Sequence, residues 1–144
     1  MTSRRDLFLK TVTRFHEAVF RSSNGKLLAR GAGMPVLMLT TVGRKSGKPR
    51  TTMLTAPLVD GETIVIVASK GGDENHPAWF LNLKDDPAVG VMMNGETREM
   101  TARIANADDR AALWPRIVAE HANYAGYQTK TDREIPVVLL EPVV

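Results

Sequence analysis

The chain reads as a mainly β protein with flanking helices, its antiparallel strands closing into a small barrel. Three features predict this. Short apolar runs rich in β-branched residues recur at 36–42, 63–68, 89–93 and 135–140. Two of the links are tight-turn dipeptides, Asp60-Gly61 and Asn94-Gly95, the second being the strongest short-range hairpin signal a sequence offers. Helical spacing is confined to stretches that flank the strands, which suits helices covering the open seam of a barrel.

Phe8, Val12, Phe15 and Val19 recur at helical spacing, with Arg5, Lys10, Arg14 and Glu17 mostly on other faces, so residues 1–24 are expected to form an amphipathic helix ending at Ser22-Ser23-Asn24-Gly25. Packing across the sheet is one use of such a helix. Lying on an anionic membrane is another, which its phenylalanines and arginines permit. The barrel with its short helices is expected over 35–144, in one domain. Its first strand, 36–42, is continuous enough to be buried on both faces.

A second strand over 50–57 and a third over 63–68 give the beginning of a meander. A short helix over 77–83 follows, with Asn75 or His76 as its cap and Pro77 in the first turn. Its free amides at Ala78 and Trp79 could donate to a carbonyl or an anion. Trp79 suits core and ligand edge equally, whereas Phe80 and Leu83 suit core. The hairpin 89–104 turns at Asn94-Gly95. Asn106 and the residues after it cap a helix carrying Leu113, Trp114, Ile117 and Val118, which Pro115 should kink or restart. His121, Tyr124 and Tyr127 would share one face of a further helical turn, and the last strand runs 135–140.

Composition excludes several classes of function. The 144 residues, 43% hydrophobic and 24% charged, are those of an ordinary soluble domain. With no cysteine there are no disulfides, no thiolate chemistry and no sulfur-built zinc site. His16, His76 and His121 lack the spacing of a local metal motif, so no metal is expected. No apolar run approaches the roughly 20 residues of a membrane span, and residues 1–10 have no signal-peptide core, which predicts a cytoplasmic protein, peripheral at the membrane if the first helix docks there. A net charge of +3 permits acidic partners, but aromatics at 6% argue against a nucleic-acid-binding barrel.

The chemistry concentrates in 43–50, Gly-Arg-Lys-Ser-Gly-Lys-Pro-Arg. Arg44, Lys45, Lys48 and Arg50 place four cations in eight residues without an acid among them. Glycines let the backbone turn, Ser46 adds a hydroxyl and Pro49 stiffens the exit, so donors can converge on one anion. A solvated basic hairpin tip is the bland reading; it leaves the mutual repulsion of four held charges without an offset. The stretch is not a nucleotide-triphosphate loop. Gly43 and Gly47-Lys48 are one residue too close, Pro49 stands where Ser or Thr would hold magnesium, and no helix follows. Nor is Gly31-Ala32-Gly33 a dinucleotide fingerprint, since it precedes a strand and lacks the third glycine.

Three blocks carry a family resemblance: Thr40-Thr41-Val42-Gly43-Arg44-Lys45-Ser46-Gly47-Lys48-Pro49-Arg50, His76-Pro77-Ala78-Trp79-Phe80-Leu81-Asn82-Leu83, and Thr131-Asp132-Arg133-Glu134-Ile135-Pro136-Val137-Val138. In order and spacing the chain resembles the deazaflavin-dependent nitroreductase family, and the resemblance covers nearly everything from Val36 to Pro142. It implies the antiparallel split β-barrel of FMN-binding-like reductases, and an enzyme using coenzyme F420, with FMN as the alternative. F420 carries a phosphodiester and a glutamate tail. The resemblance puts these on Lys45 and Arg50, helped by Arg44, Ser46, Lys48 and Pro49, with Ser69 and Lys70 as a further contact.

The resemblance also places Pro77, Ala78 and Trp79 against the deazaflavin ring, which performs the hydride transfer while the protein orients the substrate. It makes Thr55, His121, Tyr124 and Tyr127 the substrate wall, with Tyr124 the first choice of proton donor and Tyr127 the second. Nitroimidazole-reducing members carry tyrosines where this chain has His121 and Thr55. The expected substrate is therefore a small electrophile such as an enone or quinone, with a nitro compound less favoured. A non-catalytic F420 or lipid carrier is the reading from another class. Monomer and homodimer both remain open.

Overall fold

The computed structural model describes residues 34–143. The expected amphipathic helix over 1–24, and the membrane contact through it, lie outside the described residues. Seven strands and three helices follow in the order β1 (Val36–Val42), β2 (Pro49–Thr55), β3 (Leu58–Asp60), β4 (Thr63–Val67), α1 (Ala78–Asp85), β5 (Ala88–Met93), β6 (Glu96–Ile104), α2 (Ala107–Glu120), α3 (Asn123–Thr129) and β7 (Val137–Pro142). A single 3-10 turn, Lys70–Gly72, separates β4 from α1.

All strand pairs are antiparallel, and the order across the sheet is β2-β1-β5-β6-β7-β4-β3. This corrects the expected meander, because β2 and β3 follow each other in sequence yet occupy opposite edges. Curvature is the physical reason. A flat sheet of this width would hold its edges about 29 Å apart at ~4.8 Å per strand. Only Ala56 and Pro57 join Thr55 to Leu58, a reach of about 11 Å at most. The sheet therefore curls into a half-barrel, and the Ala56 amide anchors the corner by donating to the Pro35 carbonyl at 2.9 Å.

Alternation decides what fills the barrel. Leu37, Leu39, Ile64, Ile66, Val89, Val91, Val138 and Leu140 point inward with Phe80 and Leu83 of α1. Their neighbours Val65, Val67 and Val137 point outward, where they meet Ile117 of α2, Tyr124 of α3 and Ile135. Both faces of β4 and β7 are thus covered, which explains their near-continuous apolar runs. Of the described residues no helix is long and apolar enough to cross a membrane.

The hairpin at Asn94-Gly95 forms as expected, with φ of 55° and 78° matching the turn type whose twist fits two strands. Two helix expectations change. Pro77, not Asn75 or His76, precedes the first turn of α1: its carbonyl accepts from the Phe80 and Leu81 amides, while His76 is engaged by Arg133. Pro115 does not restart α2, which runs as one helix from an Asn106–Asp109 capping box to Glu120.

Candidate active site

The cationic stretch forms a closed loop because its backbone bonds to itself. The Gly43 amide donates to the Lys48 carbonyl at 2.8 Å and the Gly47 amide to the Gly43 carbonyl at 2.7 Å. The loop favours glycine at 43, since a Cβ would lie 2.6 Å from Ser46 Oγ and 3.1 Å from the Lys48 carbonyl oxygen, and one of them would have to shift. That hydroxyl accepts from the Lys48 amide at 3.1 Å and from Arg50 Nη2 at 3.4 Å. Arg44, Lys45, Ser46 and Arg50 then line a cleft of about 450 Å³, with Thr41, Thr51, Thr52, Asn82, Ala78 and Trp79 opposite. Among the described residues no carboxylate lines it. Lys48 and Pro49 stand outside this lining; Lys48 closes the loop, and Pro49 opens the edge strand β2 opposite Val42.

Sequence reasoning missed Asn82. It is buried on α1, its Oδ1 accepts from the Arg44 amide and guanidinium, and its Nδ2 donates to Thr41 Oγ1. A lone Asn within an apolar helix was the available signal, because a buried amide must find partners. The Ala78 and Trp79 amides begin α1 beside this cleft, with the first helical bonds made by Phe80 and Leu81.

A second cleft, of about 750 Å³, adjoins the first, and Thr52 and Trp79 line both. Trp79 is half-buried: it packs against the core and walls both clefts. Thr55, Ser69, Lys70, Pro77, Tyr124 and Tyr127 line the second cleft together with the apolar side chains of Met34, Val36, Leu54 and Val67. Among the described residues Lys70 is the one charged residue in that lining.

Tyr124 is buried, and its hydroxyl lies 3.4 Å from Thr55 Oγ1 and 3.6 Å from Met34 Sδ. Burial raises its pKa above the ordinary tyrosine value, Thr55 opposes that by hydrogen bonding, and Tyr127 adds to it. The phenol therefore stays protonated at neutral pH, with a weak sulfur acceptor that a better acceptor can replace. Tyr127 stands edge-on to Tyr124 at 5.9 Å between ring centroids. His121 does not extend the same helix. It ends α2, lies outside the lining of the second cleft and meets the edge of Tyr124 at 6.4 Å.

The two clefts differ in chemistry and share a wall. One carries exposed cations and hydroxyls; the other is an aromatic and aliphatic slot with hydroxyls in its lining. That donor set fits coenzyme F420. Among the described residues no group of histidines and carboxylates could hold a metal ion.

A family model for the F420H(2)-dependent quinone reductases matches residues 12–142. The chain belongs to this family. It is an F420-dependent oxidoreductase with the split-barrel fold, and coenzyme F420 is its cofactor. An F420H(2)-dependent quinone reductase of Mycobacterium tuberculosis is 42% identical over 131 residues, covering 88% of this chain and 87% of its own. A solved F420-H2 dependent reductase shares 41% identity with a TM-score of 0.67, covering 74% of this chain and 94% of its own. A second solved structure, a domain-swapped dimer, shares 35% identity with a TM-score of 0.69, covering 92% and 98%.

Proposed function

We propose that this reductase acts on a small carbonyl-bearing electrophile, a quinone or an enone. In this reading Lys45 and Arg50, with Arg44 and Ser46, hold the anionic tail of F420, and Lys70 and Ser69 hold a further polar part of it. Pro77, Ala78 and Trp79 meet its ring. The observation that carries the reading is the junction of the cationic and apolar clefts at Thr52 and Trp79, which matches a cofactor with a charged chain at one end and a flat ring at the other. The name shared by the family favours a quinone.

Reduced F420 supplies a hydride to the electrophile when bound. The chain's own residues orient the acceptor and manage its proton. The Tyr124 hydroxyl, protonated and partnered by Thr55, donates to the substrate's carbonyl oxygen as negative charge develops there, and Tyr127 shapes the wall beside it. The apolar lining keeps bulk water from competing.

The direct test replaces Lys45 and Arg50 by alanine, singly and together. Each loss of a charge-assisted bond should weaken F420 binding by about 1–3 kcal/mol, and added salt should weaken the wild type as well. A double variant with the wild-type dissociation constant would place the tail elsewhere. Turnover with quinones, enones and nitro compounds then ranks the substrates.

A further inference from the structure

Arg133 lies beyond α3, yet its guanidinium is spent on a segment about sixty residues earlier in the chain. Nε donates to the Asp73 carbonyl at 2.8 Å, Nη2 to the Ser69 carbonyl at 2.9 Å, and Nη1 to the Ala68 carbonyl at 3.2 Å and His76 Nδ1 at 3.0 Å. The backbone of Arg133 is fixed in turn, with its carbonyl accepting from Gln128 Nε2 at 2.7 Å and its amide donating to Thr131 Oγ1 at 3.3 Å. A planar fork that reaches three carbonyls and an imidazole defines the shape of what it holds.

What it holds is strained. Lys70, Gly71 and Gly72 have φ of 45°, 62° and 84°, three consecutive left-handed residues of which one carries a side chain. An L-residue in that region costs on the order of 1–2 kcal/mol, so the turn needs outside support to persist. The turn also carries Ser69, Lys70 and Gly71 into the second cleft.

We propose that Arg133 is a positioning residue of this reductase: by gripping Ala68, Ser69, Asp73 and His76 it holds the left-handed turn that presents Lys70 to the cofactor. The inference rests on the proposed placement of F420 only in that Lys70 contacts it. It makes a further demand on His76. A guanidinium has no acceptor, so Nδ1 must be unprotonated and the ring is the neutral tautomer with hydrogen on Nε2. Among the described residues Phe80 and Lys84 of α1 also bear on this ring, and neither stabilises a positive charge as a carboxylate would.

The experiment has one arm without cofactor and one with it. In the free wild-type protein, the ring nitrogens of His76 should report the Nε2–H tautomer by nuclear magnetic resonance at neutral pH; an Nδ1–H tautomer overturns the inference without any variant. Arg133→Lys keeps the charge but not the fork, and should shift those His76 signals. The Asn106→Ala variant serves as a control that weakens the α2 cap, whose bonds run between Asn106 and Asp109 and not to the turn. It should lower the melting temperature while leaving the His76 signals and the F420 dissociation constant unchanged.

With F420, Lys70→Ala and Arg133→Lys should each raise the dissociation constant by at least about fivefold, the lower range for a charge-assisted contact. The double variant should be no worse than the more affected single one, because both remove the same contact. Full additivity, or wild-type affinity in Arg133→Lys while Lys70→Ala is impaired, overturns the role of Arg133 alone. Wild-type affinity in Lys70→Ala overturns the cofactor placement at this edge and the inference with it.

Discussion

Asn82 Oδ1 accepts two hydrogen bonds from one residue, from the Arg44 amide at 3.2 Å and from Arg44 Nη1 at 3.1 Å, and so ties the cationic loop to α1. Its Nδ2 donates to Thr41 Oγ1 at 3.2 Å, which joins the end of β1 to the same point. Loop and helix are thus registered by a single buried amide.

Replacing Asn82 by leucine removes that registration and leaves the Arg44 amide without its acceptor. The expected cost is about 1–3 kcal/mol of stability, with weaker F420 binding, read by denaturant titration and by cofactor titration. Asn82→Asp separates the two effects. It keeps an acceptor for Arg44, so it should retain more stability than leucine, while its negative charge in an anion cleft should weaken binding further. Equal binding by both variants would show that Asn82 acts on the loop's shape alone.

Tyr124→Phe keeps the ring that fills the outer core and removes the hydroxyl beside Thr55. A positioned general acid contributes about 10²- to 10⁴-fold, so turnover on a quinone or enone should fall at least to the lower figure with F420 affinity near normal. A loss expressed mainly in KM would leave Tyr124 a wall of the pocket. Because burial raises its pKa, no loss of rate from its ionisation is expected up to the ordinary tyrosine range.

Gly71 and Gly72 predict a graded response to alanine. Both have left-handed φ, but a Cβ at Gly71 meets nothing within 4 Å, while one at Gly72 would lie 2.7 Å from the Tyr127 carbonyl oxygen and 2.9 Å from Lys130 Cβ. Gly71→Ala should cost about 1–2 kcal/mol, the backbone penalty alone. Gly72→Ala adds a backbone clash against α3 and should cost more, with Tyr127 displaced and turnover reduced. Thermal melts of the two variants give the comparison, and equal losses would show that α3 yields freely.

His76 predicts a pH dependence of stability. Its pKa is lowered from 6.5, first by burial and then by Arg133 and Lys84. The unfolded chain therefore binds this proton more readily than the native one, so the stabilisation is complete above about pH 6.5 and is lost as pH falls through the lowered native value. His76→Asn keeps an acceptor for Arg133 and cannot titrate. Its melting temperature should fall less than that of the wild type between pH 7 and pH 5.5, and parallel curves would remove His76 from the acid response.

The local chemistry of the chain was legible in its sequence. An unbroken apolar, β-branched run gave β1 to within its observed ends, Asn94-Gly95 gave the hairpin, and Asn106 gave the start of α2, because each depends on residues a few positions apart. The gathering of Arg44, Lys45 and Arg50 around one cleft was legible for the same reason: a short loop cannot scatter its own charges. The three blocks carried the family.

Tertiary structure alone decided the rest, because it depends on which distant strands become neighbours. The alternation of β2 and β3 does not reveal that they occupy opposite edges; that follows from closing a curled sheet through Ala56 and Pro57. Closure brings β2 and α3 together, so that Thr55 and Tyr124, 69 residues apart, share a hydrogen bond. Asn82 and Arg133 likewise reveal their partners only in the fold, since each spends its polar atoms on backbone and side chains that the sequence places far away. Short-range preferences fix elements residue by residue, whereas a buried polar side chain is fixed by whichever unpaired groups the closed barrel brings within reach.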